Sequence, residues 1–145
     1  MSRLIFVNLP VADLDRSIAF YEAIGATRNP MFSDETAACM VLSDVIHVMI
    51  LTHDKFRQFT PRPVADAKAG TQVLLCISAD SREAVDEITD KALAAGGREP
   101  REKQDYGFMY GRSFEDLDGH IWEPMWMDME AAASAMGGQP ETAGA

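Results

Sequence analysis

The sequence predicts an α+β domain in which one β-α-β-β-β unit occurs twice. Three observations carry that prediction. The apolar runs at 3–9 (RLIFVNL) and 71–78 (TQVLLCIS) are each followed by an acidic cap candidate and an amphipathic stripe that stops at glycine. After each stripe come three further extended stretches. Val11-Ala12-Asp13 is matched by Ser78-Ala79-Asp80 at a spacing of 67 residues (11 to 78).

In the first unit, β-branched and apolar residues 3–9 read as a strand ended by Pro10. Asp13 caps the next helix, and Leu14, Ile18, Tyr21 and Ile24 recur at spacings of four, three and three, an apolar stripe stopped by Gly25. Strands are expected near Arg28–Phe32, Ala37–Leu42 and Val45–Thr52, with a tight turn at Ser43-Asp44. The segment from His53 to Gly70 contains Pro61 and Pro63 and reads as a linker over the surface. In the second unit, residues 71–78 form the strand. Asp80 is the expected cap, with Glu83 in capping-box spacing. Val85, Ile88, Ala92 and Ala95 give the stripe, and Gly96-Gly97 the stop. Strands follow near Arg98–Arg101, Phe108–Phe114 and His120–Met127, with Asp118-Gly119 as the last turn. The modules are thus 1–56 and 70–128, joined by linker 57–69. A short Ala-rich helix at Met129–Met136 and a disordered tail make up 129–145.

The 145 residues carry 13 basic and 23 acidic side chains, a net charge of −10. The densest basic stretch, Arg98 to Lys103, is interleaved with Glu99 and Glu102. That pattern argues against nucleic acid and anionic membrane surfaces as partners and favours neutral or cationic ones. Cys39 and Cys76 lie in apolar runs and read as buried thiols rather than a disulfide framework. The N-terminal apolar run is short and broken by Asn8, Pro10 and Asp13, so a cytoplasmic location is expected.

VADLDRSIAFYEAIG (11–25) and FEDLDGHIWEP (114–124) resemble the first strand-to-helix passage and the last hairpin of the vicinal oxygen chelate superfamily. That group includes glyoxalase I, bleomycin-resistance proteins, methylmalonyl-CoA epimerase and the extradiol dioxygenases. The resemblance spans about residues 3–128 and is nearest a bacterial group of predicted lactoylglutathione lyases. It implies that the two modules pair into a curved, half-barrel-like mixed sheet with a concave pocket. It also implies a small-molecule ligand and a homodimer. Metal-dependent members hold one divalent ion with up to four ligands from the first and last strands of each unit. Those positions fall on Phe6, Ile50, Val73 and Glu123, so one ligand of four is present. No cofactor is expected on that count, a divalent metal being the alternative.

Glu123, in the apolar run IWEPMWM, is the expected pocket carboxylate and candidate catalytic base or acid. Asn8 shares strand parity with Phe6 and is expected to line the pocket. Tyr110, Arg112 and Phe114 share one strand face. If that face is concave, Arg112 meets Glu123 or an anionic substrate group. Trp122 and Trp126 lie opposite Glu123 by parity and should pack under a helix. His47, His53 and His120 fall off the ligand parity. Asp116 and Asp118 resemble a fragment of a calcium loop and are read as turn residues. The expected function is a glyoxalase/bleomycin-resistance-like protein that binds a small molecule in a metal-free pocket. The alternative is a metal-dependent lactoylglutathione lyase-like isomerase using Glu123.

Overall fold

The computed structural model describes residues 3–135. The predicted end of the Ala-rich helix at Met136 and the predicted tail lie outside the described residues. The first module comprises β1 (Ile5–Val11), α1 (Leu14–Ala23), β2 (Thr27–Asn29), β3 (Ala37–Val41) and β4 (Ile46–Thr52). A short helix α2 (His53–Arg57) opens the connection. The second module comprises β5 (Leu74–Ser78), α3 (Arg82–Ala94), β6 (Gln104–Asp105), β7 (Met109–Gly111), β8 (Phe114–Glu115) and β9 (Ile121–Met127). Helix α4 (Met129–Ala135) follows.

The doubled unit forms two mixed sheets with matching strand order, β1-β4-β3-β2 and β5-β9-β7-β6. In each, the first strand of the module lies parallel to the last. The pairs Gly111↔Met125 and Phe114↔Trp122 keep one register along β9, so β7 and β8 are one strand line interrupted at Arg112 and Ser113.

Several local expectations shift. β1 continues through Pro10, because β1 is an edge strand and an edge strand can spare an N–H. Arg28–Phe32 is strand only to Asn29; Pro30–Phe32 is a 3-10 turn started by the Asn29 side chain. Asp13 caps α1 as expected, accepting from Arg16 N. The cap of α3 is Ser81 rather than Asp80; its hydroxyl accepts from Ala84 N. Strand and helix therefore correspond between modules at a spacing of 68 residues (13 to 81), one more than the sequence match suggested. Both helices end alike. Ala26 N donates to Tyr21 O and Gly97 N to Ala92 O, with Gly25 and Gly96 at φ of 107° and 104°. Those bonds reach back five residues over a left-handed residue, where glycine avoids a Cβ clash. The predicted strand at Arg98–Arg101 reduces to a single bridge from Arg98 to Glu115, and pairing resumes at Gln104.

The core lies between the helix-facing sides of the sheets. Val11, Phe20, Tyr21, Met40, Val48 and Ile50 come from the first module, and Ala92, Phe114 and Trp122 from the second. The buried stripe of α1 is centred on Ser17, Phe20 and Tyr21, with Leu14 and Ile18 at its margin. Polar bonds cross this junction. Trp122 Nε1 donates to Tyr21 Oη (3.1 Å), and Tyr21 Oη donates to Asp116 Oδ2 (2.7 Å). Asp118 Oδ1 accepts from Ala12 N, and His120 Nε2 donates to Pro10 O, both at 2.8 Å. Asp116 and Asp118 are turn residues as expected, and their carboxylates also tie the second module to the first. Burial holds the Asp116 carboxyl above its ordinary range. Burial first and the Asp116 charge second push up the Tyr21 hydroxyl. Among the described residues, no helix is long and apolar enough to cross a membrane.

Candidate functional site

Side chains on a strand alternate faces, so the residues packed in the core fix which ones face the other way. On β1, Val7, Leu9 and Val11 face the helices; on β4, Val48 and Ile50 do. Phe6, Asn8, His47 and Met49 therefore occupy the opposite side, here called the open face, with Phe6 paired to His47 and Asn8 to Met49. In the second module, Leu75, Ile77 and Trp122 pack inward. Leu74, Cys76, Ile121 and Glu123 take the open face, paired Leu74 to Ile121 and Cys76 to Glu123.

This corrects two of the four positions counted from the sequence. Ile50 is fully buried in the core, and its place on the open face belongs to Met49. The one-residue shift in the α3 cap moves the second-module position from Val73, which precedes β5, to Leu74. The four positions hold Phe6, Met49, Leu74 and Glu123. His47, set aside on a parity counted from Ile50, belongs to the open face. Its ring stacks on Phe6 with centroids 4.6 Å apart, and both ring nitrogens are buried without a partner. The signal that would have found it is pairing with β1: a parallel partner of Phe6 must share its face.

Glu123 is largely buried at its strand position, and its Oε2 accepts from Arg101 Nη2 at 2.7 Å. Arg101 comes from the irregular stretch between the Arg98 bridge and β6, so the partner of Glu123 is not the one expected. Cys76, paired in register with Glu123, is exposed rather than buried. Its thiol is pushed up by partial burial and then by the Glu123 charge. Cys39 is buried, as expected.

Arg112, Tyr110 and Phe114 share one face, but it is the helix-facing one. Phe114 lies in the core. The Tyr110 hydroxyl donates to Asp86 of α3 at 2.6 Å; burial first, and then that hydrogen bond, pushes its pKa up to about 12. The Arg112 guanidinium is held by Glu99 and two α3 carboxylates: Nε and Nη2 donate to Glu99, and Nη1 to Asp86 and Asp90, all within 3.0 Å. An Arg112–Glu123 contact is thereby excluded in this arrangement. Trp122 meets Tyr21 of α1, and Trp126 lies beneath Arg82 of α3, so both tryptophans pack under helices as expected.

Asn8 lines an apolar cavity of about 400 Å³ beside β1 and β5, roofed by the connection. Val7, Leu9, Phe56, Val64, Val73, Leu75 and Ile121 supply its apolar wall. Thr60, Arg62, Gln72 and His120 are among its polar members. The segment read as a surface linker thus begins with α2 and then forms one wall of a pocket. Ile121 precedes Glu123 by two residues on the same face, so the carboxylate stands roughly 7 Å further along β9.

The donor set does not fit a metal of the kind the superfamily binds. Phe6 and Leu74 have no donor atom, Met49 offers only a thioether, and Glu123 is already engaged by Arg101. Among the described residues, no group of three or more His, Cys, Asp or Glu side chains is disposed to hold an ion.

A family model described as bleomycin resistance protein-like N-terminal matches residues 3–43. No curated protein matches the chain. Among solved structures, a hypothetical protein from S. aureus is 25% identical with a TM-score of 0.73, covering 87% of this chain and 94% of its own. The fosfomycin resistance protein FosX from Listeria monocytogenes is 22% identical with a TM-score of 0.62, covering 90% and 97%. A bleomycin resistance determinant encoded on the transposon Tn5 is 18% identical with a TM-score of 0.60, covering 88% and 99%.

Proposed function

From a chain that has the fold of the vicinal oxygen chelate superfamily, we propose a protein that binds a small molecule between its two modules without a resident metal. The observation that carries this reading is the set Phe6, Met49, Leu74 and Glu123, whose one carboxylate is tied to Arg101. The cavity that Asn8 lines is the binding site, and the Glu123–Arg101 pair, outside that lining, stands further along β9 from Ile121. Its apolar wall supplies affinity and its few polar groups supply orientation. The lactoylglutathione lyase-like alternative asks for a base and an electrophile on one face. Glu123 and Arg101 are engaged with each other, while Tyr110 and Arg112 are committed to α3.

The same reading includes a homodimer. Ile5, Phe6 and Leu74 lie on β1 and β5, flanked by Leu4 and Val73, and each is about half exposed. An apolar strip along strand edges is a surface that a second copy covers.

The test is elemental analysis of untagged protein after incubation with Ni²⁺, Zn²⁺, Mn²⁺ or Fe²⁺ and desalting. Substoichiometric retention is expected, and about one ion per chain would overturn the reading. Ligand screening by thermal shift follows, with Glu123→Gln as the control. If that variant leaves every detected affinity and activity unchanged, Glu123 does not belong to the site. Sedimentation velocity checks the dimer.

A further inference from the structure

The apolar cavity carries a local charge opposite to that of the chain around it. Its lining includes Arg62 and no aspartate or glutamate, although acidic residues outnumber basic ones 23 to 13 over the chain. Arg57, Arg82, Arg101 and Arg112 are each held by carboxylates. Arg62 hydrogen-bonds only through its backbone, to Thr60, and its guanidinium has no partner among the described residues. Asp66 and Asp118, in the adjoining shallow pocket, are already engaged: Asp66 accepts from Lys68 N and Asp118 from Ala12 N. Gln72, also on the lining, has no side-chain hydrogen bond among the described residues.

The net charge of −10 repels an anion at a distance, but that field is screened over roughly 8 Å at physiological ionic strength. A guanidinium at hydrogen-bond range acts inside that length and presents paired donors matched to a carboxylate. Contact chemistry therefore decides which ligand is held, and net charge affects how fast it arrives.

Resting on the small-molecule reading above, we propose that the ligand is an amphipathic monoanion. Its apolar part lies against Val7, Leu9, Leu75 and Ile121, and its carboxylate is met by Arg62. Gln72 is the neighbouring neutral donor. This reverses the preference for cationic partners that the composition suggests.

Calorimetric titration of the full chain with octanoate, octan-1-ol and octylammonium, equal in chain length and different in head charge, tests it. Octanoate should bind roughly tenfold tighter than the other two, a difference of about 1.4 kcal/mol. Arg62→Gln should remove that preference, bringing octanoate affinity down to that of octan-1-ol on the same variant, with the thermal midpoint unchanged, since Arg62 is exposed. Ala65→Trp, which fills the cavity from the connection, should weaken all three. Equal or tighter octylammonium binding, or a preference that survives Arg62→Gln, would overturn the charge assignment while the cavity reading stands. Failure of all three probes, the alcohol included, would overturn both.

Discussion

In the first module the pair β1–β4 turns Phe6, Asn8, His47 and Met49 to the open face; in the second, β5–β9 turns Leu74, Cys76, Ile121 and Glu123 there. The backbone positions correspond one to one, and the chemistry does not. The first set offers an amide, an imidazole and a thioether and no acidic group, and the second carries a carboxylate held by Arg101. The contrast extends to the helix-facing sides. The first module fills that side with Phe20, Met40, Val48 and Ile50. The second braces its outer end with ion pairs, Arg112 to α3 and Glu99, and Arg82 to Asp105. One topology therefore tolerates two ways of being held. The apolar half depends on packing, and the charged half on matched hydrogen bonds that respond to pH.

The sharpest way to break this comparison is to truncate the two faces of the first module. Ile50→Ala should cost about 3 kcal/mol, because a fully buried side chain leaves a cavity. Phe6→Ala, half exposed, should cost about 1 kcal/mol. Urea denaturation measures both, and equal costs would mean the faces are assigned wrongly. Next in size is Arg112→Met, which leaves Asp86, Asp90 and Glu99 facing one another. The arginine is largely buried but its partners are partly exposed, so a loss of about 2 kcal/mol is expected, between the values for surface and buried pairs.

The acid limb sharpens the contrast further. The Asp86 carboxyl is held below its ordinary range, chiefly by the Tyr110 hydrogen bond and then by Arg112. Its contribution is complete above the unfolded value near ~4 and is lost as pH falls through the lowered folded value. Asp86→Asn should flatten the decline in unfolding free energy below pH 4, measured by urea titration, by about half a kcal/mol, discounted because the carboxylate is half exposed. Asp116 has the opposite sign. With its carboxyl raised by burial, its contribution is present at low pH and lost as pH rises through the folded value. The smallest effect is expected at the orphaned imidazole. His47→Leu should leave the thermal midpoint unchanged, since no hydrogen bond is lost. A clear loss would show that the ring has a partner in solution.

Much of this was readable from residue order. Asp13 before an apolar stripe, glycine after it, and the recurrence of both in the second half gave the doubled unit, because caps and stops are local chemistry. Asn8 and Glu123 both lie on the open face, since alternation needs only a correct strand position. Residues beyond a turn are harder to place, because the turn's length sets their face. Taking Asp80 instead of Ser81 as the cap displaced the second module by one residue, and one residue on a strand reverses the face. Ile50 in place of Met49 is the same kind of error, and it hid His47.

The sequence by itself determined the order of elements and the repeat, because these depend on residue types and near neighbours. Only the tertiary structure decided that Arg112 turns to α3, that Arg101 meets Glu123 across 22 positions, and that the connection carries Arg62 to an apolar wall. Those choices depend on which strands pair and where an irregular stretch crosses an edge, and long-range geometry of that kind leaves no periodic trace in a single chain.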